Sequence, residues 1–262
     1  MIFESGDAEL FYATSGAGPE VVLLHPTPVD HNFWNPLTPA LAGYRLVLPD
    51  LRGHGRSQLG SSAVSMGVLA QDVVRLLDTL EISKAHFVGC SIGGYILYEL
   101  WRRAPDRIGT LSIFCSKPQP DSGANRAKRR ETVADVQANG TDGFFDTMSQ
   151  SLVGASARRR DPGIAAAVRG MMGMPLESVV AIQHALGERP DSVPTAKTIT
   201  VPMLVVAGGE DASSTPSEME VLAQSARSAE YHLIADGGHF AAFEQPQVAG
   251  AKLRKFLDRH PL

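Results

Sequence analysis

The chain has 262 residues, 44% of them hydrophobic and 20% charged, and a formal net charge of −4. This is ordinary for a globular protein able to bury a substantial core, and it excludes the basic footprint of a nucleic-acid binder. Two cysteines, Cys90 and Cys115, are too few for a disulfide framework or a four-ligand zinc site.

The opening MIFESGDAELFY lacks a basic start followed by a long apolar run, and no apolar stretch reaches membrane-spanning length. A soluble, cytoplasmic protein is expected. ELFYAT (9 to 14) follows the turn signal Ser5-Gly6-Asp7 and suits an antiparallel edge hairpin. EVVLLH (20 to 25), YRLVLPD (44 to 50), AHFVGC (85 to 90), GTLSIFC (109 to 115) and PMLVVAG (202 to 208) are short unbroken apolar runs. Such runs suit strands buried on both faces of a parallel sheet. Helical patterns alternate with them. VLAQDVVRLLDTL (68 to 80) sets Leu69, Val73, Leu76, Leu77 and Leu80 on one stripe, and GGYILYELWRRAP (93 to 105) is helical up to Pro105. PSEMEVLAQSA (216 to 226) and QPQVAGAKLRKFLDRH (245 to 260) complete the series. The class is α/β with right-handed crossovers. Residues 117 to 195 break the alternation with four short helical stretches and no convincing strand. They read as a helical lid inserted in a core of residues 1 to 116 and 196 to 262. The basic run RAKRR (126 to 130) reads as a solvated helix face.

Chemistry is most legible at Gly89-Cys90-Ser91-Ile92-Gly93, between an apolar strand and a helix. G-x-S-x-G in that context is a nucleophile elbow, which lifts a serine to the carboxyl end of the sheet, where ligands bind in open α/β folds. Serine needs a base to be a useful nucleophile. His239, after the strand-like YHLIA and two glycines, lies in a loop that should open on the same crevice. His184 falls in a lid helix, while His232 and His86 fall inside strands. The acid that orients the base should follow PMLVVAG, and of the neighbours Glu210 and Asp211 only one can face the crevice. Asp211 is preferred. The oxyanion formed during acyl transfer needs two backbone N–H donors. Ile92 follows the nucleophile, and Thr27 is the first N–H after Pro26, which has none. Cys90, a rival nucleophile, should point down into the sheet.

With DLRGHGRS (50 to 57), GCSIGGY (89 to 95), GGED (208 to 211) and GGHF (237 to 240), the chain resembles the α/β-hydrolase superfamily. Within it the sequence is similar to the small-lid branch of 3-oxoadipate enol-lactonases, cofactor-free haloperoxidases and carboxylesterases. The resemblance implies a mostly parallel twisted sheet with helices on both faces and a small helical lid. It also implies Ser91 as nucleophile, Asp211 as acid, His239 as base, and Thr27 and Ile92 as oxyanion donors, with no metal or cofactor. One departure stands out. The family usually has His-Gly where this chain has His25-Pro26, which fixes φ at residue 26. His25, His31, Trp34, Met148 and Met172 are expected substrate contacts, and Arg169 with His31 would serve an acidic acyl group. The expected partner is a small-molecule ester or lactone, without nucleic acid or membrane, and a homodimer is left open. Two rivals stand beside this: cleavage of a carbon–carbon bond by the same residues, and a ligand-binding receptor with little turnover.

Overall fold

The computed structural model describes all of residues 1–262. The hairpin β1 (Ile2–Ser5) and β2 (Ala8–Ser15) is antiparallel, and β2 pairs antiparallel with β4 (Arg45–Pro49). From β4 the sheet continues in parallel through β3 (Glu20–Leu24), β5 (Ala85–Cys90), β6 (Ile108–Phe114), β7 (Met203–Gly208) and β8 (Ala229–Ile234). The spatial order is β1-β2-β4-β3-β5-β6-β7-β8. β5 and β7 are buried at every residue, as unbroken apolar runs between covered faces must be.

Helix α1 (Met66–Thr79) begins at Ser65, whose hydroxyl accepts the Val68 N–H, and buries Leu69, Val73, Leu76 and Leu77. It packs on α2 (Ile92–Arg103), which ends just before Pro105. Between β6 and β7 the chain runs through α3 (Gly123–Asn139), α4 (Asp142–Ser151), α5 (Ala155–Arg160), α6 (Ile164–Arg169), α7 (Leu176–Gly187) and α8 (Val193–Ala196). Helices α5 and α8 are additions to the four stretches expected from sequence. α5, with the sequence ASARRR, has too few apolar residues to show a helical stripe. The chain closes with α9 (Pro216–Ser225), β8, α10 (Ala241–Glu244) and α11 (Pro246–Asp258). The basic run on α3 is not wholly solvated: Arg129 binds Asp121 and donates to Gln183 Oε1 at 3.0 Å. Asp121 also pairs with the buried Arg189 at 2.6 Å, joining the two ends of the inserted helices.

The loop DLRGHGRS after β4 is tied down by Arg52, which is 1% exposed. Its guanidinium donates to both carboxylate oxygens of Asp72 on α1 at 2.8 Å, to Asp7 at 2.8 Å, and to the Ser5 carbonyl at 2.8 Å. One side chain thus fastens the loop, the first hairpin and α1 together. Removing one partner of a buried ion pair strands the other charge and costs about 3–5 kcal/mol, whereas replacing both with apolar groups can be neutral. Asp72→Ala should therefore lower unfolding free energy in urea by about 3 kcal/mol or more, and Arg52→Met with Asp72→Leu should recover most of it. A loss below about 1 kcal/mol for Asp72→Ala would contradict this role.

Candidate active site

Ser91 follows β5 and adopts φ 52° and ψ −116°, a region that costs a residue with a side chain of order 1–3 kcal/mol. The turn persists because its backbone is held from several sides. The Ser91 N–H donates to the Phe114 carbonyl at 3.1 Å, and the Ser91 carbonyl accepts from Gly94 N–H at 2.9 Å and Ser116 Oγ at 2.7 Å. A Cβ on Gly89 would lie 2.5 Å from the Gly93 carbonyl carbon, so only glycine lets the strand and helix come this close. At the end of the neighbouring strand Cys115 also takes a positive φ, 46°. Ser91 caps the positive N-terminal end of α2.

His239 lies in the loop between β8 and α10 and is buried. Its Nδ1 is 2.8 Å from Asp211 Oδ2. A carboxylate only accepts, so Nδ1 carries the proton and Nε2 presents a lone pair. The other Asp211 oxygen accepts from the N–H groups of Ser213 at 2.7 Å and Ser214 at 3.1 Å. Burial opposes charge on His239, but the Asp211 carboxylate and its hydrogen bond outweigh it, holding the imidazole pKa above the ordinary 6.5. Burial likewise pushes the Asp211 carboxyl up, yet His239 and the two serine N–H groups bring it below its usual value. Cys90 Sγ sits 3.8 Å from the His239 carbonyl, and Cys115 Sγ 3.8 Å from the Gly238 carbonyl. The His239 loop therefore rests on the ends of β5 and β6, against the residue that precedes Ser91. Burial drives the Cys90 thiol pKa far up, which removes the thiolate a rival nucleophile would need. Glu210 turns away and accepts the Ser156 N–H at 2.9 Å.

The Thr27 N–H donates to no acceptor within the protein, and the N–H of Ile92, the first residue of α2, has no acceptor within its own helix. The Thr27 loop is held by two neutral histidines. His54 Nδ1 faces the Arg52 carbonyl at 3.1 Å, so its Nε2 accepts from the Thr27 hydroxyl at 2.9 Å. Burial and the neighbouring His25 push the His54 pKa down to about 3. His25 is expected from sequence to touch substrate, but it has no exposed surface. Its Nδ1 donates to the Pro26 carbonyl at 2.8 Å and its Nε2 accepts the Leu51 N–H at 2.9 Å, fastening one loop to the other. Trp34 is likewise fully buried, edge-on to Phe33 and Phe114. His31 spends Nδ1 on Asp50 Oδ1 at 2.7 Å. All three side chains are packed or paired, but Trp34 Nε1 has no hydrogen-bond partner and His31 keeps 9% of its surface exposed. Arg169 is also engaged, by Asp142 at 2.8 Å and Asp146 at 2.7 Å. His86 has only one of its two ring nitrogens bonded, to Thr110 at 2.9 Å, and burial pushes its pKa down to about 4. Met148 is half-buried on α4 and Met172 is buried after α6. Met174, one of four methionines in the inserted segment, places its sulfur 3.8 Å from the Thr27 hydroxyl. Asp30, His31 and Asp50 have ligand atoms within 4.8 Å of one another. Asp30 and Asp50 already accept the backbone N–H groups of Asn32 at 2.8 Å and Arg56 at 2.9 Å, which makes the cluster a loop fastening.

The family model for the alpha/beta hydrolase fold matches residues 19–246. A 3-oxoadipate enol-lactonase of Acinetobacter baylyi is 29% identical over 245 residues, covering 87% of this chain and 85% of that protein. A thermophilic esterase of Thermogutta terrifontis superposes with a TM-score of 0.92 at 31% identity, covering 97% of this chain and 95% of the other. The enol-lactonase of Burkholderia xenovorans gives 0.91 at 27% identity, covering 98% and 100%. No helix is long and apolar enough to cross a membrane. The sheet order, the loops that meet at its carboxyl end and the match across most of the sequence lead to one conclusion: the chain belongs to the alpha/beta hydrolase fold family.

Proposed function

We propose that this protein is a serine hydrolase that cleaves a small carboxylic ester or lactone through an acyl-enzyme on Ser91. The observation that supports the reading is the 2.8 Å contact of His239 Nδ1 with Asp211, which leaves Nε2 to act as a base, in a loop that touches Cys90, the residue before the strained Ser91. The likeness to an esterase and to enol-lactonases supports the substrate class.

In this reading His239 Nε2 takes the Ser91 hydroxyl proton as Oγ attacks the carbonyl carbon. Negative charge moves to the carbonyl oxygen, between the Thr27 N–H, which has no acceptor in the protein, and the Ile92 N–H at the start of α2. Asp211 stabilises the imidazolium that forms, without itself taking the proton. As the carbon–oxygen bond breaks, the alkoxide collects that proton from Nε2. In a lactone the leaving alcohol stays tethered to the acyl group. Water then gives a proton to the same nitrogen as it attacks the acyl carbon, and that proton passes to Ser91 Oγ as the ester bond breaks and the acid leaves. Helices α3 to α8, from Gly123 to Ala196, serve as a lid over this site, and Met174 lies over the Thr27 loop as part of its wall.

Two measurements test the assignment. Asp211→Asn replaces an acceptor with a group that can reverse the imidazole tautomer, and should cost on the order of 10⁴ in kcat for a p-nitrophenyl ester. Glu210→Gln should change kcat by no more than a few-fold, and the opposite ranking would reject Asp211. The second concerns pH. Only neutral His239 accepts the serine proton, and its pKa is raised, so kcat/KM should fall with decreasing pH through an inflection above 6.5. A flat profile from acid to neutral pH would remove His239 from the mechanism.

A further inference from the structure

The buried carboxylate of Glu244 is used by none of the steps above. It ends α10, five residues after His239, and is 6% exposed. Its Oε2 accepts the Gly238 N–H at 2.8 Å, from the residue immediately before His239. The same oxygen accepts the Gly154 N–H at 3.2 Å, from the residue that opens α5. Its Oε1 is buried and has no hydrogen-bond partner. A buried carboxylate oxygen left unpaired is costly, so the conformation must be held by what surrounds it.

The surroundings form a clasp. Gly154 and Gly238 lie backbone to backbone: a Cβ on Gly154 would lie 2.8 Å from the Gly238 nitrogen and 3.0 Å from Glu244 Oε2. The Phe240 N–H donates to the Leu152 carbonyl at 3.3 Å, and Arg160 donates to the Glu244 carbonyl at 3.2 Å. On the other side Ser156 N–H binds Glu210, the neighbour of Asp211. Residues 152 to 160 of the inserted helices thus grip both loops that carry the acid and the base.

We propose that Glu244 is a positioning residue: it locks the His239 loop to the start of α5, so that the helical layer sets where the imidazole stands. The inference rests on His239 acting as the base. Burial pushes the Glu244 carboxyl above its ordinary 4.5, against the Gly238 and Gly154 donors, and in its ionised form it adds to Asp211 in favouring the imidazolium. The charged groups facing His239 are Asp211 and Glu244, opposed by Lys117, and the nearby Cys90 and Cys115 thiols stay neutral. Around Glu244 the further charged groups are Glu210, beside Gly154, and Arg160.

The test compares wild type, Glu244→Gln, Gly154→Ala and His239→Ala on p-nitrophenyl butyrate, with rates normalised to the folded fraction from thermal unfolding. Misplacing a catalytic group by about 1 Å can cost roughly a hundredfold. Glu244→Gln should lower kcat by about ten- to a hundredfold with KM nearly unchanged, and should move the acid limb of kcat/KM to lower pH. Gly154→Ala wedges the clasp from the helical side and removes no charge, its Cβ crowding the Gly238 nitrogen and the carboxylate oxygens of Glu210 and Glu244. It should lower kcat and leave the limb in place. Wild-type kcat and an unmoved limb in Glu244→Gln would overturn the proposal. If that variant does not fold, unchanged kcat in Gly154→Ala overturns it alone. Full turnover by His239→Ala would instead refute the serine-hydrolase reading, and the positioning role with it.

Discussion

A strand that must become a helix within one residue sets the terms for this site. β5 is buried along its length and α2 starts immediately behind it, so the chain has no room for a loop. Ser91 alone absorbs the reversal, at φ 52°. The conformation survives because β6 supplies an acceptor, Ser116 supplies a donor and the glycines on either side let the two elements touch. Strain concentrated in one residue and held by rigid neighbours is how a side chain is kept at a fixed point. The hydroxyl is not spent on the helix end, since Ser91 makes no side-chain capping hydrogen bond.

Environment, more than residue type, divides the histidines. His25 and His54 are buried, and burial lowers both pKa values, keeping them neutral props for the Thr27 loop. His239 is equally buried, yet Asp211 reverses the direction of its shift. The difference is one carboxylate at 2.8 Å, fixed by two serine N–H groups so that it cannot turn away. Desolvation penalises the imidazolium, and a close anion in the same low-dielectric surroundings more than restores it. In the proposed mechanism this is also the interaction that strengthens as the proton moves.

Much of the framework was legible from the sequence, because its signals are local. Apolar runs marked the parallel strands, and the residues just beyond β5, β7 and β8 fell at one end of the sheet, as the alternation of strand and helix requires. What stayed hidden depends on contacts across long separations. His25 and Trp34 look available in a polar, proline-rich loop, and only the folded core shows them spent on Leu51 and Phe114. Met174 meets Thr27 across a separation of 147 residues, and Glu244 meets Gly154 across 90. α5 escaped because its helix is short and its anchors are Glu210 and Glu244, both far along the chain. A sequence pattern reports which face an element buries, but it does not report what waits on the other side.

The central claim is that Ser91 becomes covalently acylated, and a fluorophosphonate tests it most directly because the reagent captures an activated serine as a stable adduct. Intact mass measurement followed by peptide mapping should find one adduct per chain, on the peptide containing Ser91. It should be absent in Ser91→Ala, which should also lose ester hydrolysis. An adduct on another residue, or undiminished hydrolysis by Ser91→Ala, would contradict the account.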